Sequence, residues 1–470
     1  MSRFARISAL LITAFLFAVS FLGVLLAQTP GVHAETYQVY RERLLSAFMV
    51  SSPGNEPGTG IPASIRHAGR GQMRWGDATI NLSNWMAVLA TEYRLQSERG
   101  ESVESTVEEL HRALLAKERL DAAAPVFFGS ANTAALPDGF FIRDDVPESF
   151  TRDWSLHQPA FRAFPHVRSD YTDANIRLNE MSQDQVWNLI IGLSLIVRLV
   201  DDTTTWQLPD YHGWRRYTLR ERAMLTGYRI IGAMQDEACI RPFRFRDFEL
   251  CLPYWHVRNP YTGESVFRGS GPNLLKYGFA EAGNVITGEA FGSMHWANSR
   301  YGRIWFSLAA GLQYLQRLGR DGSIERMYHA ATTATVGHVW STRQLVRLFN
   351  RNRSNFLTPN HQYEHLALIS CILHGDCPAV LQREKARYEY LLHTAPGNGP
   401  FNYGEGGASV KHYGAAYPHL DEYHHEWSSV NRFVWPQRLG EGSPEHLRGE
   451  YNGLDYMLLH NLFYLVYGKY

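Results

Sequence analysis

The chain lacks an excess of charge of either sign. Its 470 residues include 46 Lys plus Arg and 46 Asp plus Glu, so the formal net charge is zero. There is therefore no uniform basic field to attract phosphate, which argues against nucleic acid as a partner. Charged residues still make up 20% of the chain and hydrophobic residues 45%. This balance excludes general disorder and predicts a large packed core.

Long apolar runs are absent from the chain after its first 27 residues. Before that point Arg3 and Arg6 precede an apolar run at 7–27, and a polar stretch then ends in Val32-His33-Ala34. This pattern is typical of a secretory signal peptide at residues 1–34 cleaved after Ala34, so we expect an exported protein, periplasmic or extracellular. The alternative is an uncleaved anchor, because the run is long enough to span a bilayer. Otherwise no stable membrane insertion is expected.

Cysteine is scarce, with four residues and no Cys-x-x-Cys pair typical of zinc sites. In an oxidising compartment an even number of cysteines favours disulfides. Three pairings are possible, and proximity in sequence favours Cys239 with Cys251 and Cys371 with Cys377. The alternative is four buried free thiols.

Helical periodicity dominates the chain and is of two kinds. The segment 102–120 carries one apolar stripe and one charged face, which is typical of an outer helix. The segment 182–200 is apolar nearly all round, which indicates a buried helix. Similar buried character recurs at 81–93, 304–315 and 454–466, and amphipathic runs are found at 37–50, 219–234, 274–286, 363–373 and 380–392.

Buried and amphipathic helices that alternate along one chain predict two concentric layers. We therefore expect an all-α fold, an (α/α) toroid of six helical hairpins that forms a single domain over residues 35–470. A solenoid-like array is the alternative, but no repeat of fixed period is visible. The long connections at 51–77, 122–181, 241–271 and 396–453 are predicted to form a central cleft, since loops of such length are usually functional.

Two acidic segments are candidates for catalysis. The first is Arg143-Asp144-Asp145, where adjacent carboxylates should disfavour ionisation of one of them. We predict that Asp145 has a raised pKa and acts as a general acid, with Asp144 in reserve and Arg143 as a substrate-binding residue. In the second, Ser182 is a predicted N-cap and Asp184 lies in the first helical turn, where the helix dipole favours an ionised base or nucleophile.

The region 402–427 near the C-terminus is rich in histidine and supplies further candidates. Its titratable and aromatic side chains suit acid–base chemistry and stacking on sugars. His361 and His365 also lie one helical turn apart, but the full zinc-protease pattern is absent because Gln362 replaces the glutamate. We predict no metal and no cofactor. The reserve catalytic residues here are Glu422 and Glu426, and the further predicted substrate-binding residues are Trp187, His361, His412, Tyr413, His419 and Trp427.

The Ser182-x-Asp184-Gln185 step ahead of a helix containing Gly192 resembles the acidic mouth of exported bacterial (α/α)₆-toroid carbohydrate-active enzymes, such as unsaturated glucuronyl hydrolases and inverting glucanases. The segments 141–146 and 452–457 are also similar to exported bacterial proteins for which the resemblance assigns no activity. The resemblance implies a glycan substrate and a glycoside hydrolase with an Asp pair in an aromatic cleft. A polysaccharide lyase acting on uronates and a non-catalytic glycan-binding or envelope protein remain as alternatives.

Overall fold

The computed structural model describes residues 32–51, 56–67, 70–130, 137–210, 213–233, 235–240, 250–255, 259–264 and 449–468, with scattered positions between 368 and 393. This part of the chain is rich in helix and has few strands, in agreement with the predicted mainly helical class. The helices predicted at 274–286 and 304–315 lie outside the described residues. The helices are α1 (Val32–Ala47), α2 (Ala78–Arg99), α3 (Glu104–Phe127), α4 (Phe150–Trp154), α5 (Gln183–Leu199), α6 (Leu219–Ala233) and α7 (Leu454–Tyr467).

The helices α2, α5 and α7 form the buried layer and run parallel to one another. At the start of α2, Ser83 donates a hydrogen bond to the Asn188 carbonyl of α5. Beyond the middle of α2, the Tyr93 hydroxyl donates to Asp201, just after α5 ends, at 2.6 Å. We call the end where these three helices begin the amino end and the opposite end the carboxyl end.

The helix α7 follows the same direction on the other side of α2. Asn452, just ahead of α7, donates to Asn81 in the first turn of α2 at 2.7 Å. Further along, the Asn461 amide donates to the Val88 carbonyl at 3.2 Å. Every residue from 78 to 91 in α2 and from 454 to 463 in α7 is buried, which explains why these segments are apolar nearly all round.

Amphipathic helices cover this layer and run in the opposite direction. The helix α1 lies along α7. Tyr40 contacts Tyr456 with tilted rings at the amino side, and Tyr37 stacks on His460 further along, each pair at 4.6 Å between ring centroids. In the outer layer, the Arg222 guanidinium of α6 binds both carboxylate oxygens of Glu118 in α3, at 2.6 and 2.7 Å. The predicted processing point between Ala34 and Glu35 lies inside α1.

A small four-stranded sheet at the amino end sets where the buried helices begin. Its strands are β1 (Ile65–His67), β2 (Gln72–Arg74), β3 (His166–Arg168) and β8 (Gly449–Tyr451), in the order β3-β2-β1-β8. The pairs of β1 with β2 and β8 are antiparallel and the pair of β2 with β3 is parallel, so β2, β3 and β8 all point toward the helices. Since α2 follows β2 and α7 follows β8, the sheet brings the two helix starts together.

Two hairpins were not predicted from the sequence. They are β4 (Thr205–Asp210) with β5 (Gly213–Thr218), which joins α5 to α6, and β6 (Gln235–Ile240) with β7 (Leu250–Trp255). Cys239 is the direct register partner of Cys251 in the second hairpin, a placement that suits the predicted bond. Cys371 and Cys377 form the other predicted disulfide, with Cα atoms 4.8 Å apart.

Within the described residues, no helix has both the length and the low charge that a bilayer-spanning helix requires.

Candidate active site

Asp77 and Asp170 meet at the amino end. Neither carboxylate was predicted from the sequence as a site residue. The strands β2 and β3 are parallel, and the Trp75 amide donates to the Arg168 carbonyl at 2.8 Å where both strands finish. Asp77 and Asp170 follow at once, and the Asp77 amide donates to Asp170 Oδ2 at 3.0 Å. The two residues are 93 positions apart in sequence, and the pairing of β2 with β3 brings them together.

The backbone of Asp77 is strained. Its φ of 54° lies in the left-handed region, and no other non-glycine residue of the described chain has a positive φ. Such a conformation costs on the order of 1 to 3 kcal/mol and is concentrated at functional sites. Asp77 is the N-cap of α2, but its side chain makes no capping bond. Instead Oδ1 accepts hydrogen bonds from Arg143 Nη1 and Gln185 Nε2, each at 3.1 Å.

Arg143, a predicted substrate-binding residue, is the cation between the two acids. Its Nη1 lies 3.1 Å from Asp77 Oδ1 and 3.8 Å from Asp170 Oδ2, and its Nε donates to the Glu180 carbonyl at 2.7 Å. The side chains of Asp77, Asp170 and Arg143 keep 15%, 19% and 12% of their exposure. The group is therefore largely desolvated but still open to a small polar ligand.

The two acids have different electrostatic surroundings. Burial, followed by the neighbouring charge of Asp77, raises the pKa of Asp170 to about 6, while Arg143 and the Asp77 amide oppose the rise. A carboxylic acid with a pKa close to neutral can retain its proton and donate it, which is the requirement for a general acid. Asp77 accepts two hydrogen bonds from side chains, one of them from the charged guanidinium of Arg143.

Asp144 holds the backbone of this site through hydrogen bonds. Its side chain is buried, Oδ1 accepts from the Val146 amide at 3.1 Å, and Oδ2 accepts from the Asp170 amide at 2.8 Å. Burial and the nearby charge of Asp170 raise the pKa of Asp144 well above its usual range. These contacts make Asp144 a residue that fixes the Asp170 loop.

Asp145, the predicted general acid, lies in a different environment. Its carboxylate pairs with Arg119 at 2.6 and 3.2 Å and accepts from the Gly58 amide at 2.8 Å. Only 4% of the residue is exposed. Through these contacts Asp145 joins the 56–60 loop to α3.

Asp184 lies in the first turn of α5, behind the N-cap Ser182, as predicted. Its neighbour Gln185 reaches the acid pair through Asp77, which places the start of α5 beside the site. The side chains of Asp184 and Trp187 lie outside the described residues. So do the other predicted catalytic and substrate-binding residues, namely Glu422, Glu426, His361, His412, Tyr413, His419 and Trp427.

An aromatic shelf borders the acid pair. Tyr171 follows Asp170, is 39% exposed, and lies 5.4 Å from the ring of Phe127 between centroids. Ile176 and Leu178, on the 3₁₀ turn Ile176–Asn179, are also exposed at this end. A partly exposed tyrosine that follows one of the acids in sequence suits contact with the apolar face of a sugar.

A separate cavity of about 510 Å³ lies at the carboxyl end, lined by His33, Lys385, Glu389, His393 and Tyr464 among others. Lys385 and Glu389 form an ion pair across one helical turn at 3.6 Å. His33 precedes the predicted processing point, so cleavage after Ala34 would remove this wall of the cavity. The acid pair does not depend on that event and is the stronger candidate.

Comparison of the chain with protein-family models, with curated proteins and with solved structures finds no match. Among the residues that the structure describes, no three His, Cys, Asp or Glu side chains are grouped so as to hold a metal ion.

Proposed function

We propose that the protein is an exported glycoside hydrolase in which Asp170 is the general acid and Asp77 the ionised partner carboxylate. The single observation that carries the proposal is the meeting of two partly exposed carboxylates around Arg143, with Asp77 in a strained conformation. Glycoside hydrolysis needs one protonated and one ionised carboxyl group on either side of the scissile bond. The raised pKa of Asp170 supports the role of general acid for this residue.

The proposed architecture behind this site is the (α/α) toroid. The parallel arrangement of α2, α5 and α7, with amphipathic helices running in the opposite direction around them, supports it. In such a toroid the starts of the inner helices face one mouth of the central cavity. The acid pair and the Tyr171 shelf would then border the glycan cleft.

The test is a panel of glycans incubated with the protein and read in two ways. Release of reducing ends reports hydrolysis, and absorbance of unsaturated uronates reports the lyase alternative. We expect reducing ends without unsaturated products. We also expect Asp170→Asn and Asp77→Asn each to lower kcat by about 10² to 10⁴, the usual size of a general acid or base contribution. Binding without either product would instead favour the glycan-binding protein.

The matched control is Asp153→Asn, which alters an exposed carboxylate on α4. It should retain normal turnover. The pH profile gives a second readout, because the rate should fall as the pH rises above about 6, where Asp170 loses its proton. Near-normal turnover of both Asp170→Asn and Asp77→Asn would reject the assignment and direct attention to Asp184.

A further inference from the structure

The β4–β5 hairpin at the carboxyl end has two unlike faces. On the inner face, Trp206 stacks on His111 of α3 at 4.6 Å with the rings nearly parallel. On the outer face, Trp214 is opposite Pro209 near the turn and is 68% exposed, more than any other aromatic side chain among the described residues. The inner contact holds the hairpin to the helices and leaves the indole of Trp214 in solvent.

A cation lies on the same outer face, one pleat behind the indole. Arg216 is two positions after Trp214, so its side chain points the same way about 6 to 7 Å further from the turn. It is exposed, and its Nε donates to Thr205 Oγ1 at 3.0 Å. The outer face therefore has an aromatic tip with a guanidinium behind it. This order is suited to a bilayer surface, where tryptophan lies among the headgroups and arginine binds their negative charge.

The position of the hairpin agrees with this partner. It begins just after α5 ends, at the carboxyl end of the buried layer. The first described residue, Val32, lies at the same end, because His33 lines a cavity with Tyr464 and Tyr467 near the end of α7. Before cleavage of the predicted signal peptide, the apolar run 7–27 therefore precedes by a few residues the end of the molecule at which the hairpin begins.

We propose that the β4–β5 hairpin docks on an anionic phospholipid surface, with Trp214 among the headgroups and Arg216 bound to their phosphates. This orientation directs the carboxyl end toward the bilayer and the Asp77–Asp170 pair away from it. The inference does not depend on the glycoside hydrolase proposal, since it uses none of the residues of that site.

The experiment measures tryptophan fluorescence of the full chain mixed with vesicles of phosphatidylcholine and phosphatidylglycerol that carry brominated acyl chains. Bromine quenches only nearby indoles, and residues 1–34 contain no tryptophan, so no indole of this segment adds to the signal. We expect quenching in the wild type and its loss in Trp214→Phe. The matched control, Trp154→Phe at the amino end, should retain the full effect. Equal quenching of the wild type and Trp214→Phe would overturn the proposal, as expected if a protein partner or a second copy covers this face.

The electrostatic part is tested with Arg216→Gln on the same vesicles. We expect the equilibrium between docked and free hairpin to fall about fivefold, the effect of one basic residue near an anionic surface. Arg152→Gln, an exposed arginine on α4, should leave it unchanged. Raised salt should weaken the wild-type signal. Equal quenching by vesicles of phosphatidylcholine alone would reject anionic headgroups as the ligand.

Discussion

At the scale of single residues, the site was predicted only in part. Arg143 was predicted as a substrate-binding residue beside two acids, and the structure places it between Asp77 and Asp170. The acid pair itself could not be predicted from the sequence, because β2 and β3 have three residues each and are too short to show an alternation of apolar and polar residues. The prediction for Asp145 considered only its neighbours in sequence, whereas its ion-pair partner Arg119 lies in another element.

The raised pKa of Asp170 leads to a prediction about stability. Its folded pKa of about 6 lies above the usual value of 3.8, so the folded state holds this proton more tightly than the unfolded state. The stabilisation is complete below about pH 4 and is lost as the pH rises through 6. The Asp170→Asn variant does not show this pH-dependent loss of stability, because asparagine does not titrate. We therefore expect the free energy of unfolding of Asp170→Asn, relative to the wild type, to increase by on the order of 2 kcal/mol between pH 4 and pH 7.

Urea unfolding at several pH values measures this difference. The control is Asp173→Asn. The carboxylate of Asp173 accepts a hydrogen bond from the Asn175 backbone amide in the same loop, and we expect the difference in unfolding free energy between this variant and the wild type to be independent of pH. A difference independent of pH for Asp170→Asn would contradict the raised pKa of Asp170. Loss of activity together with gain of stability at neutral pH is expected where a site is strained for function.

At the scale of elements, the helices were predictable because helical periodicity is local. The predicted segments 182–200 and 454–466 correspond to α5 (Gln183–Leu199) and α7 (Leu454–Tyr467) within one or two residues. The hairpins were missed for different reasons. The strand β4 contains Pro209, and β5 has two consecutive arginines, so neither shows a clear apolar alternation.

The contact between α2 and α5 depends on Gly192. A Cβ atom on this glycine would lie 2.7 Å from the Ser83 carbonyl oxygen and 2.8 Å from its hydroxyl. The backbone of α2 would have to move, since the carbonyl cannot rotate away. We expect Gly192→Ala to lower the free energy of unfolding by about 1 to 3 kcal/mol, despite the better helix propensity of alanine.

Thermal unfolding followed by circular dichroism provides the measurement. Ser83→Ala combined with Gly192→Ala should recover only the part due to the hydroxyl, because the carbonyl clash remains. An unchanged Tm for Gly192→Ala would show that α2 and α5 are packed less closely than the structure has them.

At the scale of the whole molecule, the two ends of the described chain belong to one folding unit. The strand β8 pairs with β1, and Glu450 forms an ion pair with Arg66 at 2.8 Å across that pair. The helix α7 that follows packs between α1 and α2, where Asn461 donates to the Tyr37 hydroxyl at 3.2 Å. These contacts close the two ends of the described chain on each other, with β8 against β1 and α7 against α1.

This closure predicts the effect of a C-terminal truncation. A chain ending at Arg448 loses β8 and α7, which uncovers apolar side chains of α1 and α2, including Tyr37 and Tyr40, whose rings contact His460 and Tyr456. Burying one such side chain is worth about 1.5 to 3 kcal/mol, and several are uncovered at once, which exceeds the usual stability of a domain. We expect the truncated chain to lose the cooperative thermal transition and to become sensitive to protease throughout residues 32–264. A chain ending at Gly468, which lacks only the last two residues, should behave as the full protein does. An unchanged Tm of the chain ending at Arg448 would show that residues 449–467 are not part of the folded core. It would also contradict the single-domain architecture proposed for the glycan cleft.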